Sequence, residues 1–267
     1  MSAGASLPGD DLAGPVTLDA FHRGDFHLVQ PAAKGHRAGT DAMMLASTVP
    51  GTFAGRLADL GAGAGAAGLA VASRCPQARV TLIERSPQMA ACARHSIAHE
   101  ANARIHGRAD VVLADVTLTG MARHAAGLDD GAFDFAIMNP PFNAAVDRPS
   151  PDLLRREAHV MDEDLFERWL RTAAAIVRPR GGLAIIARPQ SLPAILAAMK
   201  GRFGNPWVKP VHPRASEPAI RILVRAVRAS RAPLSLMPPL IVHDSGSDRF
   251  STEAEAVNNG RASLFGD

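Results

Sequence analysis

Apolar positions recur in two alternating patterns along residues 56–228. Short apolar or β-branched runs predict buried strands, and longer segments with apolar residues three or four positions apart predict helices. Strands that alternate with helices indicate a mostly parallel sheet with right-handed crossovers. The predicted strands cover 56–61, 78–85, 109–116, 133–139, 181–188, 207–213 and 219–228. The predicted helices cover 68–75, 165–178 and 191–204, with one more that begins at Ser86-Pro87.

The two ends of the chain lack this alternation. Residues 1–18 are rich in small and polar residues, so we expect a flexible tail. We expect residues 19–244 to form a single domain, and residues 245–267 to form a C-terminal tail with one short helix capped by Ser251. The composition is 47% hydrophobic and 21% charged, as in globular proteins. Cys75 and Cys92 form no disulfide framework, so we expect reduced thiols in a cytoplasmic protein. We expect no membrane span, because no apolar run approaches the ~18 residues that a spanning helix needs.

A glycine-rich turn follows the first predicted strand. Glycines permit unusual backbone angles and the close approach of a ligand, and ligands of parallel sheets bind at the carboxyl ends of strands. The turn also matches G-x-G-x-x-G, with Glu84 at the end of the next strand, so a dinucleotide-binding oxidoreductase is an open alternative. The glycines expected to contact a cofactor are Gly61, Gly63 and Gly65.

Asp59 and an N-P-P-F turn after the fourth predicted strand favour S-adenosylmethionine as the cofactor, and two further carboxylates at strand ends are candidate contacts. Asp59 precedes the glycine turn, where a carboxylate can hold a cationic amino group and would repel a pyrophosphate. Glu84 can bind a ribose diol. Asp115, after the third strand, can accept a hydrogen bond from the adenine amino group of the cofactor, although a cap for the next segment is an alternative role.

The tetrapeptide N-P-P-F (139–142) ends the fourth predicted strand, because proline cannot continue a central strand. Asn139 and the carbonyl of Pro140 can accept hydrogen bonds from the two hydrogens of an amino group and direct its lone pair at a methyl donor. Phe142 can stack on a base. This turn indicates methylation of a planar amino nitrogen, with Asn139, Pro140 and Phe142 in the catalytic site.

The motifs DLGAGAG (59–65), IER (83–85) and NPPF resemble those of class I S-adenosylmethionine-dependent methyltransferases. The segments 26–46, 239–244 and 250–257 are similar to one branch, the bacterial valine-tRNA (adenine-37-N6) methyltransferases. The resemblance implies an α/β, Rossmann-like fold with a seven-stranded, mostly parallel sheet, an antiparallel last strand and helices on both faces.

The resemblance further implies that residues 19–50 cover the methionine end of the cofactor. Thr40 and Arg85 are then cofactor contacts, and Arg37 binds either the cofactor carboxylate or a substrate phosphate. Thr40 or Asp41 is also the predicted cap of a helix. The candidate contacts to substrate RNA are Arg148, Arg221 and Arg225, for which solvated surface charge is the alternative.

The function implied is N6-methylation of an adenine in tRNA, at position 37 of valine tRNA by resemblance. Related methyltransferases that carry the same turn act on guanine in ribosomal RNA or on glutamine in release factors, and both alternatives stay open. A silent RNA-binding protein is a further alternative. The expected partner is tRNA, and we expect a monomer with neither a metal ion nor a membrane contact.

Overall fold

A computed structural model describes residues 12, 14–32, 38–141, 152–244 and 246–267, with side chains in the helix that begins at Asp152 described from residue 164 onward. The strands are β1 (Val16–Phe21), β2 (Phe26–Pro31), β3 (Arg56–Leu60), β4 (Arg79–Glu84), β5 (Ala109–Leu113), β6 (Phe133–Met138), β7 (Val177–Ala187), β8 (Phe203–His212), β9 (Arg221–Arg228), β10 (Ser235–Leu236) and β11 (Leu240–Ile241). The helices are α1 (Thr40–Ala46), α2 (Ala66–Arg74), α3 (Pro87–Ala98), α4 (Gly120–Ala125), α5 (Asp152–Ile176), α6 (Leu192–Met199) and α7 (Thr252–Asn258).

Seven of the strands form the predicted sheet, in the order β5-β4-β3-β6-β7-β9-β8. Strand β9 runs antiparallel to both β7 and β8, and the other neighbours in this order pair in parallel. The mostly parallel sheet with an antiparallel last strand is therefore confirmed. The short strands β10 and β11 pair with β8, so within the described residues the sheet has nine strands instead of seven.

Helices cover both faces of the sheet, as expected, and each face has its own apolar core. Leu69, Cys92 and Val257 belong to the core on the face of α1, α2, α3 and α7. Phe166, Leu170 and Ile195 belong to the core on the face of α5 and α6. None of the helices in these described ranges is long and apolar enough to cross a membrane.

Several predicted boundaries need correction. The helix expected over 191–204 ends at Met199, because Gly201 adopts a left-handed conformation (φ 76°) and β8 begins at Phe203. The strand expected over 109–116 ends at Leu113, and Asp115 starts a turn. The boundary placed after residue 18 falls inside β1.

The segments at both ends of the fold pack against the same face. Strands β1 and β2 form an antiparallel hairpin, and Arg23 at its tip donates to Glu255 (2.6 Å) and Asn259 (3.1 Å) of the α7 region. The helix predicted after Ser251 is present, with the Ser251 hydroxyl accepting from the Ala254 amide at 3.1 Å. Leu264 and Phe265 beyond it are buried, so this segment packs against the core, whereas a C-terminal tail was predicted.

Candidate functional site

The carboxyl ends of four parallel strands gather the residues that the sequence singled out. Strands β5, β4, β3 and β6 are neighbours, so the residues that follow them lie at one edge of the sheet. Neighbouring strands are about 4.8 Å apart. This edge carries the glycine turn after β3, Glu84 at the end of β4, Asp115 after β5 and Asn139 after β6. The structure therefore brings these predicted site residues together.

The glycine turn has a backbone that other residues would adopt only with strain. Gly61, Gly63 and Gly65 have φ values of 71°, 57° and 94°. A Cβ atom at Gly65 would lie 2.6 Å from Leu82, and one at Gly61 would overlap the indole of Trp169. Glycine at these two positions therefore lets Leu82 and Trp169 pack directly against the turn, which lies at the edge of the sheet before α2.

Glu84 connects this turn to the start of the next helix. Its carboxylate accepts from the Gly63 amide at 2.9 Å and from the Ser86 amide at 2.7 Å. The residue is only 9% exposed. A carboxylate that is already oriented by two backbone donors is a preorganised acceptor for a diol, which was its predicted role.

Asp59 occupies a more interior position than expected for a cofactor contact. Its side chain is fully enclosed, and one oxygen accepts from the Gly68 amide in the first turn of α2 at 2.8 Å. Burial raises the pKa of the Asp59 carboxyl to about 7, against the opposing effect of the Gly68 hydrogen bond. Asp59 therefore holds α2 against β3, and its contact with a cofactor stays a prediction.

Asp115 organises a turn after β5 instead of capping a helix. One oxygen accepts from both the amide and the hydroxyl of Thr117 at 2.7 Å. The other oxygen lies 3.7 Å from the exposed guanidinium of Arg85. Although partial burial acts to raise the pKa of Asp115, these hydrogen bonds and the Arg85 charge lower it below its usual value. The carboxylate therefore stays ionised and able to accept a hydrogen bond from a ligand.

Asn139 and Pro140 directly follow β6, beside the glycine turn. Leu60 pairs with Met138 in the parallel register of β3 and β6, so the next residues, Gly61 and Asn139, are neighbours at the edge. Asn139 is half-buried and Pro140 is buried. The described residues form no hydrogen bond with the Asn139 side chain, so its amide is available to a substrate.

The start of α1 corrects one prediction. Neither Thr40 nor Asp41 caps this helix, because the N-cap is Gly39, and no side-chain cap bond is formed. Asp41 instead accepts from Arg221 at 2.8 Å, across 180 residues of sequence. The segment before α1 is held by Gln30, a buried residue that the sequence reasoning missed. Its side-chain oxygen accepts from the Ala38 amide at 2.6 Å.

The two arginines of β9 were predicted to share one exposed face as phosphate contacts. They do share a face, but Arg225 lies over the Phe135 ring, 5.9 Å from its centroid, and burial lowers the pKa of its guanidinium. The contact of Arg225 with an RNA phosphate stays a prediction. Arg221 has 26% of its side chain exposed and pairs with Asp41.

Three predicted site residues, Arg37, Phe142 and Arg148, lie outside the described residues. The residues that are described fit the predicted cofactor. The glycine turn lies beside two acceptors, because Glu84 and Asp115 follow at one and two strands from it, about 5 and 10 Å away. Within the described ranges, no group of three or more His, Cys, Asp or Glu residues could hold a metal ion.

Known proteins that are similar to this chain are methyltransferases, in agreement with this geometry. The family model of the methyltransferase small domain matches residues 36–209. A tRNA1(Val) (adenine(37)-N6)-methyltransferase of Porphyromonas gingivalis is 30% identical over 177 residues, which are 64% of this chain. The aligned part spans about two thirds of that relative, at 65% of its length. A release factor glutamine methyltransferase of Deinococcus radiodurans is 29% identical over 162 residues, covering 58% of this chain and 53% of the relative.

A solved structure is more similar in sequence than these relatives. Protein Atu636 of Agrobacterium tumefaciens, described as a predicted O-methyltransferase, is 46% identical, with a TM-score of 0.74. The match covers 84% of this chain and 98% of that one. The Rossmann-like fold, the methyltransferase class and S-adenosylmethionine as cofactor, all predicted from the sequence, are thereby confirmed. The chain belongs to the methyltransferase small domain family.

Proposed function

We propose that this protein methylates the N6 amino group of an adenine in tRNA, with position 37 of valine tRNA as the target that its relatives suggest. The observation that carries the proposal is the position of Asn139 and Pro140, which follow β6 beside the glycine turn of β3. The cofactor supplies an electrophilic methyl group on a sulfonium. The chain itself presents an amino group to that methyl.

The amino group of adenine needs such a presentation, because its lone pair is delocalised into the ring. The side-chain oxygen of Asn139 and the carbonyl of Pro140 can each accept one of the two amino hydrogens. Two acceptors draw the nitrogen toward a tetrahedral geometry and free its lone pair for the methyl. Catalysis then rests on orientation and on hydrogen bonds that strengthen in the transition state.

The cofactor is held by the opposite half of the edge. Glu84 accepts from the ribose diol and Asp115 from the adenine amino group of the cofactor, with Gly61, Gly63 and Gly65 lining its path. Arg85 lies 3.7 Å from the Asp115 carboxylate and adds to the Thr117 hydrogen bonds that lower its pKa. Thr40 and Arg37 belong to the segment that covers the methionine end.

Methylation of a hydroxyl, the activity in the description of the Agrobacterium protein, suits this turn less well. A hydroxyl has one hydrogen to offer to two acceptors, and it gains more from a base than from amide and carbonyl oxygens. The glutamine side chain ends in a planar amide NH2 that offers two hydrogens, as the adenine amino group does, so the Deinococcus relative supports a second candidate, a release factor side chain. The experiment must therefore separate an RNA from a protein substrate.

The test incubates the protein with S-adenosylmethionine labelled in its methyl group and, separately, with bacterial tRNA, ribosomal RNA and purified release factor. We expect label in tRNA, recovered as N6-methyladenosine after digestion to nucleosides. Label in release factor alone would refute the RNA proposal while leaving amino-group methylation intact. Label in ribosomal RNA as methylguanosine would shift the target base.

Variants of Asn139 test the mechanism in the same assay. Asn139→Ala should lower the single-turnover rate by about 100-fold or more while cofactor affinity is retained, since the lost interaction belongs to the transition state. Asn139→Asp keeps an acceptor at nearly the same place and should retain more activity than alanine. If Asn139→Ala transfers methyl at the parental rate, the catalytic assignment of this turn fails.

A further inference from the structure

The indole of Trp169 lies directly against the first glycine of the turn after β3. A Cβ atom at Gly61 would lie 2.4, 3.0 and 3.5 Å from the Cη2, Cζ3 and Cζ2 atoms of this ring. Only 8% of Trp169 is exposed. The ring therefore fills the space into which a side chain of residue 61 would project, and its edge is in van der Waals contact with the Gly61 backbone.

The glycine turn needs support from neighbouring elements, because its own residues restrict it little. Gly61, Gly63 and Gly65 all have positive φ, and glycine loses more conformational freedom on ordering than any other residue. On the side of β4, the amides of Gly61 and Ala62 donate to the Ile83 carbonyl at 2.9 and 3.0 Å. The Trp169 ring adds a support from α5, a helix that belongs to neither β3 nor β4.

Helix α5 presents this ring from a fixed position. Phe166 and Leu170 of the same helix are buried in the same core as Trp169. Glu167 accepts from both terminal nitrogens of the Arg202 guanidinium, at 2.6 and 3.0 Å. A bidentate pair of this kind fixes orientation as well as distance. Packing and charge thus both hold the helix on which the indole is carried.

The supported glycine lies beside the turn that carries Asn139. Because Leu60 pairs with Met138, Gly61 and Asn139 follow as neighbours, about 5 Å apart. Leu60, Met138 and Trp169 belong to one core, on the face of α5. A shift of the glycine turn would change the distance between a bound cofactor and Asn139, and misplacement by about 1 Å can lower a rate by about 100-fold.

We propose that Trp169 is a positioning residue, which holds the glycine turn in the conformation that binds S-adenosylmethionine. Without the indole the turn has more conformations available. A turn that adopts the binding conformation only about a tenth of the time binds its ligand about tenfold more weakly. This role concerns the cofactor alone, so it is the same for an RNA and for a protein substrate.

The chain has two tryptophans, Trp169 and Trp207, so each can be observed alone. Trp207 is the matched control, because it lies on β8, four strands or about 19 Å from β3, and packs against the core on the other face. Tryptophan emission is measured while S-adenosylmethionine is added to Trp207→Phe, which retains Trp169, and to Trp169→Phe, which retains Trp207. Calorimetric titration gives the dissociation constant for both variants, for Trp169→Leu and for the parent.

We expect the emission of Trp169 to change with the saturation measured by calorimetry, and the emission of Trp207 to stay constant. Trp169→Leu should raise the dissociation constant about tenfold or more. Trp169→Phe, which keeps an aromatic ring, should raise it less, and Trp207→Phe should keep the parental value.

A folded Trp169→Leu protein with the parental dissociation constant would overturn the proposal, because a merely structural role lowers stability and leaves cofactor affinity unchanged. Constant Trp169 emission in Trp207→Phe at saturating cofactor would also overturn it. If Trp169→Leu does not fold, this emission measurement alone decides, and a change that saturates with the cofactor supports the proposal.

Discussion

At the scale of single residues, Glu84 has a structural role in addition to the ligand-binding role proposed for it. Its carboxylate already accepts from the Gly63 and Ser86 amides, which connects the glycine turn to the start of α3. Two hydrogen bonds from a ribose diol would add to these, each worth roughly 1.5–3 kcal/mol for a charged acceptor. The oxygens that order the turn are therefore the ones proposed to recognise the cofactor.

We predict that Glu84→Ala raises the dissociation constant of S-adenosylmethionine more than tenfold and lowers the free energy of unfolding by about 1–3 kcal/mol. Glu84→Gln keeps one acceptor oxygen and should fall between the parent and alanine in both measurements. Calorimetric titration and denaturant unfolding give the two quantities. An unchanged dissociation constant in a destabilised Glu84→Ala protein would leave Glu84 with the structural role alone.

Residue roles were predictable where the partner is local in sequence. Ser86 and Ser251 cap their helices as expected, because each hydroxyl reaches an amide three residues later. The cap assigned to Thr40 or Asp41 was wrong, because Arg221 captures the Asp41 carboxylate from a distant strand. The inward position of Asp59 also depends on packing that the motif does not encode, namely the start of α2 above it.

At the scale of elements, Arg74 joins three segments at the end of α2. Its guanidinium donates to the carbonyl of Ala46 at the end of α1 and to those of Val49, Gly260 and Ala262 in the segments that follow α1 and α7. Among these, the Ala46 carbonyl is at a helix end and has no helical partner. No sequence pattern signals this arrangement, because the partners are up to 189 residues away.

We predict that Arg74→Met lowers the free energy of unfolding by about 3 kcal/mol or more, since it leaves several partly buried acceptors without a charged donor. The C-terminal segment should detach first, which hydrogen exchange of the Leu264 and Phe265 amides would report. Arg79→Gln is the matched control, and we expect a change within about 0.5 kcal/mol for this exposed residue. Equal stability of the two variants would contradict the role of Arg74.

The strands of the main sheet were easier to predict than the hairpin of β1 and β2. Buried parallel strands form continuous apolar runs, as in β4 and β6. The hairpin turns at His22 and Arg23, which both have positive φ, without the Asn-Gly or Asp-Gly pair by which such turns are recognised. Its position depends on residues distant in sequence, because the Val29 amide donates to Ser96 and the His27 amide to Asn102, both at 2.8 Å.

At the scale of the whole molecule, two buried groups give stability opposite dependences on pH. The pKa of Asp59 is raised to about 7, so native Asp59 keeps a proton that the unfolded chain loses above pH 3.8. The stability that Asp59 contributes is fully present below pH 3.8 and is lost as the pH rises through 7. The pKa of His22 is lowered to about 4, mainly by burial and also by the charge of Arg74. The stability that His22 contributes is fully present above pH 6.5 and is lost as the pH falls through 4.

Between about pH 4.5 and 6.5 these two effects cancel, because unfolding releases one proton from Asp59 and binds one at His22. We therefore predict that Asp59→Asn, which can still accept from the Gly68 amide, becomes less stable than the parent by about 1.4 kcal/mol for each pH unit of acidification in this window. His22→Asn should show the opposite trend, and asparagine tolerates the positive φ of that position.

Denaturant unfolding at pH 5.0, 5.75 and 6.5 measures the slope of stability against pH for each variant relative to the parent, so that the titration of other groups cancels. In the double variant the two changes should offset each other and restore the parental slope. A slope in Asp59→Asn equal to that of the parent would show that Asp59 is ionised in the native protein throughout this range.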